Sequence, residues 1–341
     1  MGSTWTATQR IFLGDAVYIV FVRTTKTLLD LTEARPHTRG MGRVIALITM
    51  LLASPASALD LGPRDGVPPP AEISGVSIEY SDRRFDGALD IDGLSRGATL
   101  DREAVNLRWG HSLRLAGRPA YFYGELPFVE YAADGAVTDK FDIDPGSGPG
   151  DLALAMAIWP YADRDASRYV GVAGYLLLPT GEYEAHRTFG ANLNPGNNRV
   201  AGILQTGIHQ GLGHGVALSV AADVMVFEDN DRYIGARLDQ RQPAAPGRLE
   251  VKPYYTGQAS LSWQPMPGMT LASSYYIDRG GESRVDGGDW ESAVNRERYG
   301  LLAQVALSRQ WMVSASYKRP INRGPDFGLE EAAQLRLIHW F

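Results

Sequence analysis

Ionisable and amide side chains recur at alternate positions of otherwise apolar stretches: Asn106, Arg108 and Arg114 in one, Glu125 in the next, then Asp151, Asp223, Gln258, Asp278, Lys318 and Arg336. In an extended strand, positions two apart share a face. Each of these groups therefore lies on the polar side of a segment whose other side is Leu, Val, Tyr or Trp. Such a face can pair charges to brace a wall, or screen solutes by charge and size along a wet passage. The two uses are compatible in the same residues.

Other chemistries find less support. The histidines, at 37, 111, 186, 209, 214 and 339, show no helical i,i+4 pair and no zinc spacing, so no metal site is expected. Glu228-Asp229-Asn230-Asp231 offers clustered carboxylates to a hard cation, yet lacks the length and closing Glu of a calcium loop and reads as a solvated loop or a cation-bridged contact with lipopolysaccharide. Gly148-Pro149-Gly150-Asp151 is glycine-rich, but no helix follows to cradle a phosphate. It reads as a corner that starts a strand and turns a loop inward, with Asp151 in reach of a lumenal Arg. Pro179-Thr180-Gly181 likewise suits a turn. A lipid hydrolase needs Ser and His on one outer edge; His111 is the strand-centred, outward candidate, and Ser112 falls on the opposite face. No catalytic residue and no cofactor are expected.

The elements that must carry these groups are short alternating segments, twelve in all. They begin near Val76-Ile78-Tyr80 and end at Ala333–Phe341, where Ala333, Leu335, Leu337, His339 and Phe341 oppose Gln334, Arg336, Ile338 and Trp340. Segments 168–178 and 198–210 carry apolar residues on both faces. Connections 115–118, 160–167, 211–215, 264–268 and 308–311 are tight, whereas 86–102, 131–150, 179–197, 228–254, 279–297 and 319–331 are long. Alternating short and long connections, an even strand count and a terminal Phe predict a single-domain, all-β, transmembrane antiparallel barrel of the bacterial outer membrane. Trp159, Trp263, Trp311 and Trp340 fall at strand ends beside the short turns, as an aromatic girdle would. Phe341 is the expected assembly signal, because the last strand must be recognised before the barrel closes its edges.

The amino-terminal part agrees with export from a Gram-negative cell. Met41-Gly42-Arg43, the apolar run Val44–Ala53 and the small-x-small Ala56-Ser57-Ala58 form a signal peptide over 41–58, with Leu59 or Asp60 starting the mature chain. Residues 1–40 read as a mis-assigned upstream segment, 59–74 as a periplasmic segment and 75–341 as the barrel. The absence of cysteine excludes disulfides and thiolate chemistry. Without residues 1–58 the chain holds 27 basic and 36 acidic residues, which excludes nucleic acid as a partner.

Gly148-Pro149-Gly150-Asp151-Leu152-Ala153-Leu154 followed by Leu177-Leu178-Pro179-Thr180-Gly181-Glu182-Tyr183 resembles the meta-pathway phenol-degradation outer-membrane family. Asn192-Leu193-Asn194, Glu228-Asp229-Asn230-Asp231 and Gly280-Gly281-Glu282-Ser283-Arg284-Val285-Asp286-Gly287 are similar to further blocks of it, in order, over about 70–341. The resemblance implies a porin-like, transporter-like barrel for passive uptake of small hydrophobic or aromatic solutes. Its partners would then be outer-membrane lipid and lipopolysaccharide, the barrel-assembly machinery and the solute. The competing classes are an outer-membrane lipid hydrolase and a structural or adhesive barrel with partner-binding loops.

Overall fold

The computed structural model describes residues 10–13, 16–19, 60–62, 64–91, 94–135, 145–188, 192–234, 245–291, 293–322 and 328–341. The chain divides into two units, Met1–Arg39 and Gly40–Phe341. In the first, Arg10–Leu13 and Ala16–Ile19 form an antiparallel pair. The expected boundary at residue 40 and the signal peptide fall outside the described residues.

Twelve strands of the second unit close into one barrel. They are β1 (Ser74–Ile91), β2 (Leu94–Leu115), β3 (Arg118–Gly135), β4 (Leu152–Asp163), β5 (Arg168–Leu178), β6 (Ala201–Gly213), β7 (Val216–Phe227), β8 (Tyr254–Trp263), β9 (Met269–Gly280), β10 (Val294–Ala306), β11 (Trp311–Pro320) and β12 (Gly328–Trp340). Each strand pairs antiparallel with its sequence neighbours, and β12 pairs with β1 from Gly328↔Asp86 to Trp340↔Gly75. Backbone hydrogen bonds between Ser74 and Phe341, 2.9 and 3.0 Å, bring the two ends of the barrel together.

Period-two patterning decides which face is which. Leu204, Leu261, Leu301 and Leu335 are each more than half exposed on the outer face of four different strands, while Gln205, Ser260, Ser262 and Gln258 are buried inside. A continuous apolar belt of this kind is insupportable in water and suits lipid. The barrel is therefore an outer-membrane barrel. The short turns lie at the rim that carries the carboxyl terminus, the periplasmic rim of such barrels. At one of them Ala116 and Gly117 both have positive φ, 49° and 76°, the geometry that lets two residues reverse a twisted hairpin.

Three expectations change. The connection 86–102 is mostly strand: β1 and β2 pair from Ser74↔His111 through Ile91↔Leu94, so this hairpin stands taller than the membrane requires. Its polar outer half still alternates, but weakly enough to read as loop. Segments 168–178 and 198–210 hold β5 and β6, apolar on both faces because the lumen beside them is itself partly apolar. Finally, of the four tryptophans expected in the girdle, Trp263 and Trp311 face outward, each over 40% exposed. Trp159 is buried, and Trp340 lies against Gly75, where a Cβ would fall 2.5 Å from its ring. Both belong to the lumen.

Candidate functional site: a strapped lumen

Residues 60–62 and 64–70, expected in the periplasm, instead run from mid-lumen to the rim and are held by lumenal side chains. The Asp60 carboxylate accepts hydrogen bonds from Arg298 Nη1 (2.7 Å) and Nη2 (3.0 Å) and from Lys318 Nζ (3.0 Å). Leu61 is held through its backbone by Gln258, which accepts from Leu61 N at 3.1 Å and donates to Leu61 O at 2.7 Å. Trp159 Nε1 donates to Gly66 O at 2.8 Å. Ser112 donates to Pro70 O and accepts from Ile73 N at 2.9 Å. Side chains from β2, β4, β8, β10 and β11 thus grip one strap. A backbone with no sheet of its own must find partners for its polar groups when buried, and these lumenal side chains supply them.

The strap separates two chambers. Toward the periplasmic rim lies a cavity of about 500 Å³, roofed by Pro68, Pro69 and Pro70 and walled by Tyr121, Tyr123, Trp159, Tyr175 and Trp340. Several rings lie flat on the wall because the neighbouring strand offers a glycine beneath them: Gly110 under Tyr121, Gly75 under Trp340, Gly171 under Trp159. A side chain at those glycines would lift the ring into the cavity. Tyr175 donates to Gln205 at 2.8 Å, and the Arg108 guanidinium stacks 4.3 Å from the Tyr123 ring. Toward the outer mouth a smaller cavity, about 110 Å³, is lined by charged and amide groups, among them Asp60, Glu79, Asn106 and Glu125.

Most of the residues chosen from the sequence converge here. Arg108 bonds Glu125 (Nε–Oε2 2.6 Å), and Arg336 bonds Glu79 (Nε–Oε2 2.6 Å); both arginines border the two chambers. Asn106 donates to Glu79 at 3.1 Å. Asp278, with no exposed surface, receives Arg296 and Arg298. Asp223 accepts from Gln205 at 3.5 Å. Arg114 does not join them: it is exposed at the rim and reaches the Gly117 carbonyl, because its strand has already left the lumen at that height. Phe341 is 60% exposed at the rim, and its neighbour His339 stacks 4.3 Å from Trp311.

Asp151 has a different duty from the expected pairing with an arginine. Its carboxylate accepts from Gly181 N (3.1 Å), Asn197 N (2.9 Å) and Asn197 Nδ2 (3.0 Å), binding the 179–197 connection to the start of β4. Gly150, Gly181 and Gly196 meet backbone to backbone there, with no room for a Cβ. Asn194 clasps Glu184 through both its amide atoms, and Leu193 is fully buried. The described residues of the connection therefore fold into the outer mouth, where Asn192, Asn194 and Pro195 line the smaller cavity. Burial raises the Asp151 carboxyl above its ordinary range, and the Asn197 and Gly181 hydrogen bonds only partly oppose this.

The sequence reading passed over Asp60, Glu79, Arg298 and the aromatic walls. Arg298 shares the parity of Gly300 and Gln304 one residue before its expected segment, and Glu79 that of Ser77 and Ser81 between Ile78 and Tyr80, so strand parity reaches both. Nothing local distinguishes Asp60. The hydrolase pairing finds one contact it lacked, His111 Nδ1 3.0 Å from Ser74 Oγ across β1 and β2. Among the described residues no acid or amide hydrogen bond orients that histidine. Of the acidic run, Asp229 forms an ion pair with Arg248.

Residues 90–337 match the family described as "Putative MetA-pathway of phenol degradation". The chain belongs to this family. Beyond the phenol-degradation family match, the barrel is similar to an outer-membrane channel from Pseudomonas putida F1, with 23% identity and a TM-score of 0.71, covering 83% of this chain and all of that one. It also resembles the transport unit of the autotransporter AIDA-I from Escherichia coli, at 8% identity and a TM-score of 0.47, over 86% of this chain and 96% of that one. These likenesses are of fold. No curated protein matches the chain in sequence.

Proposed function

We propose that this barrel is an outer-membrane channel for passive uptake of small aromatic solutes, and that the aromatic chamber beneath the strap is where they bind. The observation that carries this is the chamber itself: flat rings, an apolar proline roof and a few convergent polar groups, in a volume typical of small-molecule sites. A phenol-sized ring can stack on Tyr121, Trp159 or Trp340 and leave its hydroxyl to Gln205 or Arg108. Membership of a phenol-degradation family and likeness to a bacterial outer-membrane channel support the same reading. Nothing in it requires bond chemistry, and the barrel acts as a passage.

The test is uptake into proteoliposomes of phenol, toluene and, as a polar control, a hexose. Faster phenol and toluene entry than protein-free liposomes allow, with little hexose entry, is expected. Gly75→Leu, which pushes the Trp340 ring into the chamber, should slow aromatic entry several-fold. Hexose and phenol passing equally well would overturn the reading. The charged groups Arg108, Asp223 and Lys318 shape the field through which solutes pass. Outer-membrane lipid and lipopolysaccharide surround the wall, and Phe341 presents the last strand to the assembly machinery. Deleting Phe341 should reduce insertion, and an undiminished yield of heat-modifiable barrel would refute that role.

A further inference from the structure

Arg108 and Arg336 line both chambers. Each commits one edge of its guanidinium to a glutamate: Nε and Nη2 of Arg108 to Glu125, Nε and Nη2 of Arg336 to Glu79. Among the described residues, Nη1 of neither arginine makes a hydrogen bond, and neither atom is sealed from solvent. The two side chains keep 20% and 26% of their surface at the divide. Arg108 is also held in place by Tyr123, whose ring lies 4.3 Å from its guanidinium.

A second cationic element stands above them, toward the outer mouth. In the pairing of β1 with β2, Arg83 is directly opposite Arg102, and Arg102 in turn faces Tyr131 of β3, whose ring lies 5.9 Å from the Arg102 guanidinium. All three line the outer chamber. Like charges set opposite one another repel, and among the described residues no carboxylate pairs with Arg102. The inward positions of the same wall descend from Arg102 through Asn106 to Arg108 on β2, and from Ala332, opposite Arg83, to Arg336 on β12. Two residues below Arg108, Gly110 lies beneath Tyr121 and the aromatic wall begins. Five cations and four carboxylates line the outer chamber, although the chain as a whole carries a net charge of −6.

We propose that the preferred solutes of this barrel are aromatic carboxylates, bound with the carboxylate on Arg108 and Arg336 at the divide and the ring against Tyr121, Tyr123 or Trp340 in the chamber below. Arg102 and Arg83 are the first cations the anion meets. The inference rests on the aromatic chamber being the binding site and adds the charge that its solute carries. Hydrogen bonds from a guanidinium to a carboxylate are roughly twice as strong as those between neutral groups. The ionised group stays at the polar edge of the chamber, and only the ring enters the apolar part. A neutral phenol gains no such charged contact, and a benzylammonium of the same ring size brings its charge against two arginines.

The experiment is calorimetry on the purified full barrel at neutral pH with benzoate, phenol and benzylammonium. Benzoate should bind about tenfold more tightly than phenol, the advantage of one charged hydrogen bond over a neutral one, and benzylammonium more weakly than phenol. Arg336→Gln should weaken benzoate about tenfold and leave phenol unchanged, Arg336→Lys should keep most of the benzoate affinity, and Gly75→Leu should weaken both ligands. Arg102→Gln should reduce the current carried by sodium benzoate in planar bilayers while benzoate affinity stays near wild type. Equal affinity for benzoate and phenol, both lost in Gly75→Leu, would overturn the carboxylate assignment and leave the aromatic chamber standing. Tight benzoate binding that ignores Arg336→Gln or Gly75→Leu would overturn the placement. Binding of neither benzoate nor phenol would refute the chamber itself, and this inference with it. Heat-modifiability identifies any variant that has not folded.

Discussion

Replacing Asp60 by Ala removes the carboxylate that fixes the strap at mid-lumen. Arg298, Asp60 and Lys318 have side chains only 1%, 1% and 9% exposed, so solvent screens their interaction little. Removing one member of a buried pair costs about 3–5 kcal/mol, because the remaining charges lose their partner. Arg298 keeps Asp278 through two hydrogen bonds, at 2.7 and 3.0 Å, so the lower end applies. The equilibrium between seated and displaced strap should then shift by a factor of about 100. In planar bilayers Asp60→Ala should spend far more time in a high-conductance state than the wild type, while Asp65→Ala, on an exposed part of the strap, should not. A folded Asp60→Ala barrel with wild-type conductance and dwell times would refute the idea that this ion pair holds the lumen shut.

Arg108→Glu places a carboxylate beside Glu125 at the border of the chambers, so the reversal potential in a salt gradient should move toward cation selectivity; an unchanged potential would leave Arg108 as bracing alone. A cysteine at Asn194, a site only 2% exposed, should react slowly and partially with an impermeant thiol reagent on whole cells, and rapid complete labelling would contradict the inward fold of that connection. The raised Asp151 carboxyl binds its proton more tightly in the folded loop than in an unfolded chain. Its contribution to stability is therefore full below the ordinary aspartate range and is lost as pH rises through the folded value. Loop protection from protease should fall as pH rises above the ordinary aspartate range in the wild type and stay flatter in Asp151→Asn.

The barrel was legible because strand parity is a covalent fact: Leu335 and Leu337 must oppose Gln334 and Arg336 wherever the chain goes. The lumenal charges followed from the same rule, and Arg114 failed only because parity tells direction and not height. The strap was invisible for a physical reason. Asp60, Leu61 and Gly66 are held by side chains about 90 to 260 residues away in the chain, Leu61 and Gly66 through backbone groups that every sequence possesses. Trp159 and Trp340 were misassigned because a ring beside a short turn suits either face. The deciding partners, Gly171 and Gly75, sit on neighbouring strands.

The junction of β1 with β12 has a bearing on how the molecule is built. Residues 60–73 lead directly into β1, and one edge of β1 stays unpaired until the final residues of β12 arrive to bond Ser74. Until that moment the half-formed sheet has an open side next to the strap's own root. The strap can swing in sideways and be enclosed as the sheet shuts, with no need to thread a loose end through a finished ring. A terminus tied to a large folded tag would meet a steric conflict at this step, and the wall would have to close around an empty interior.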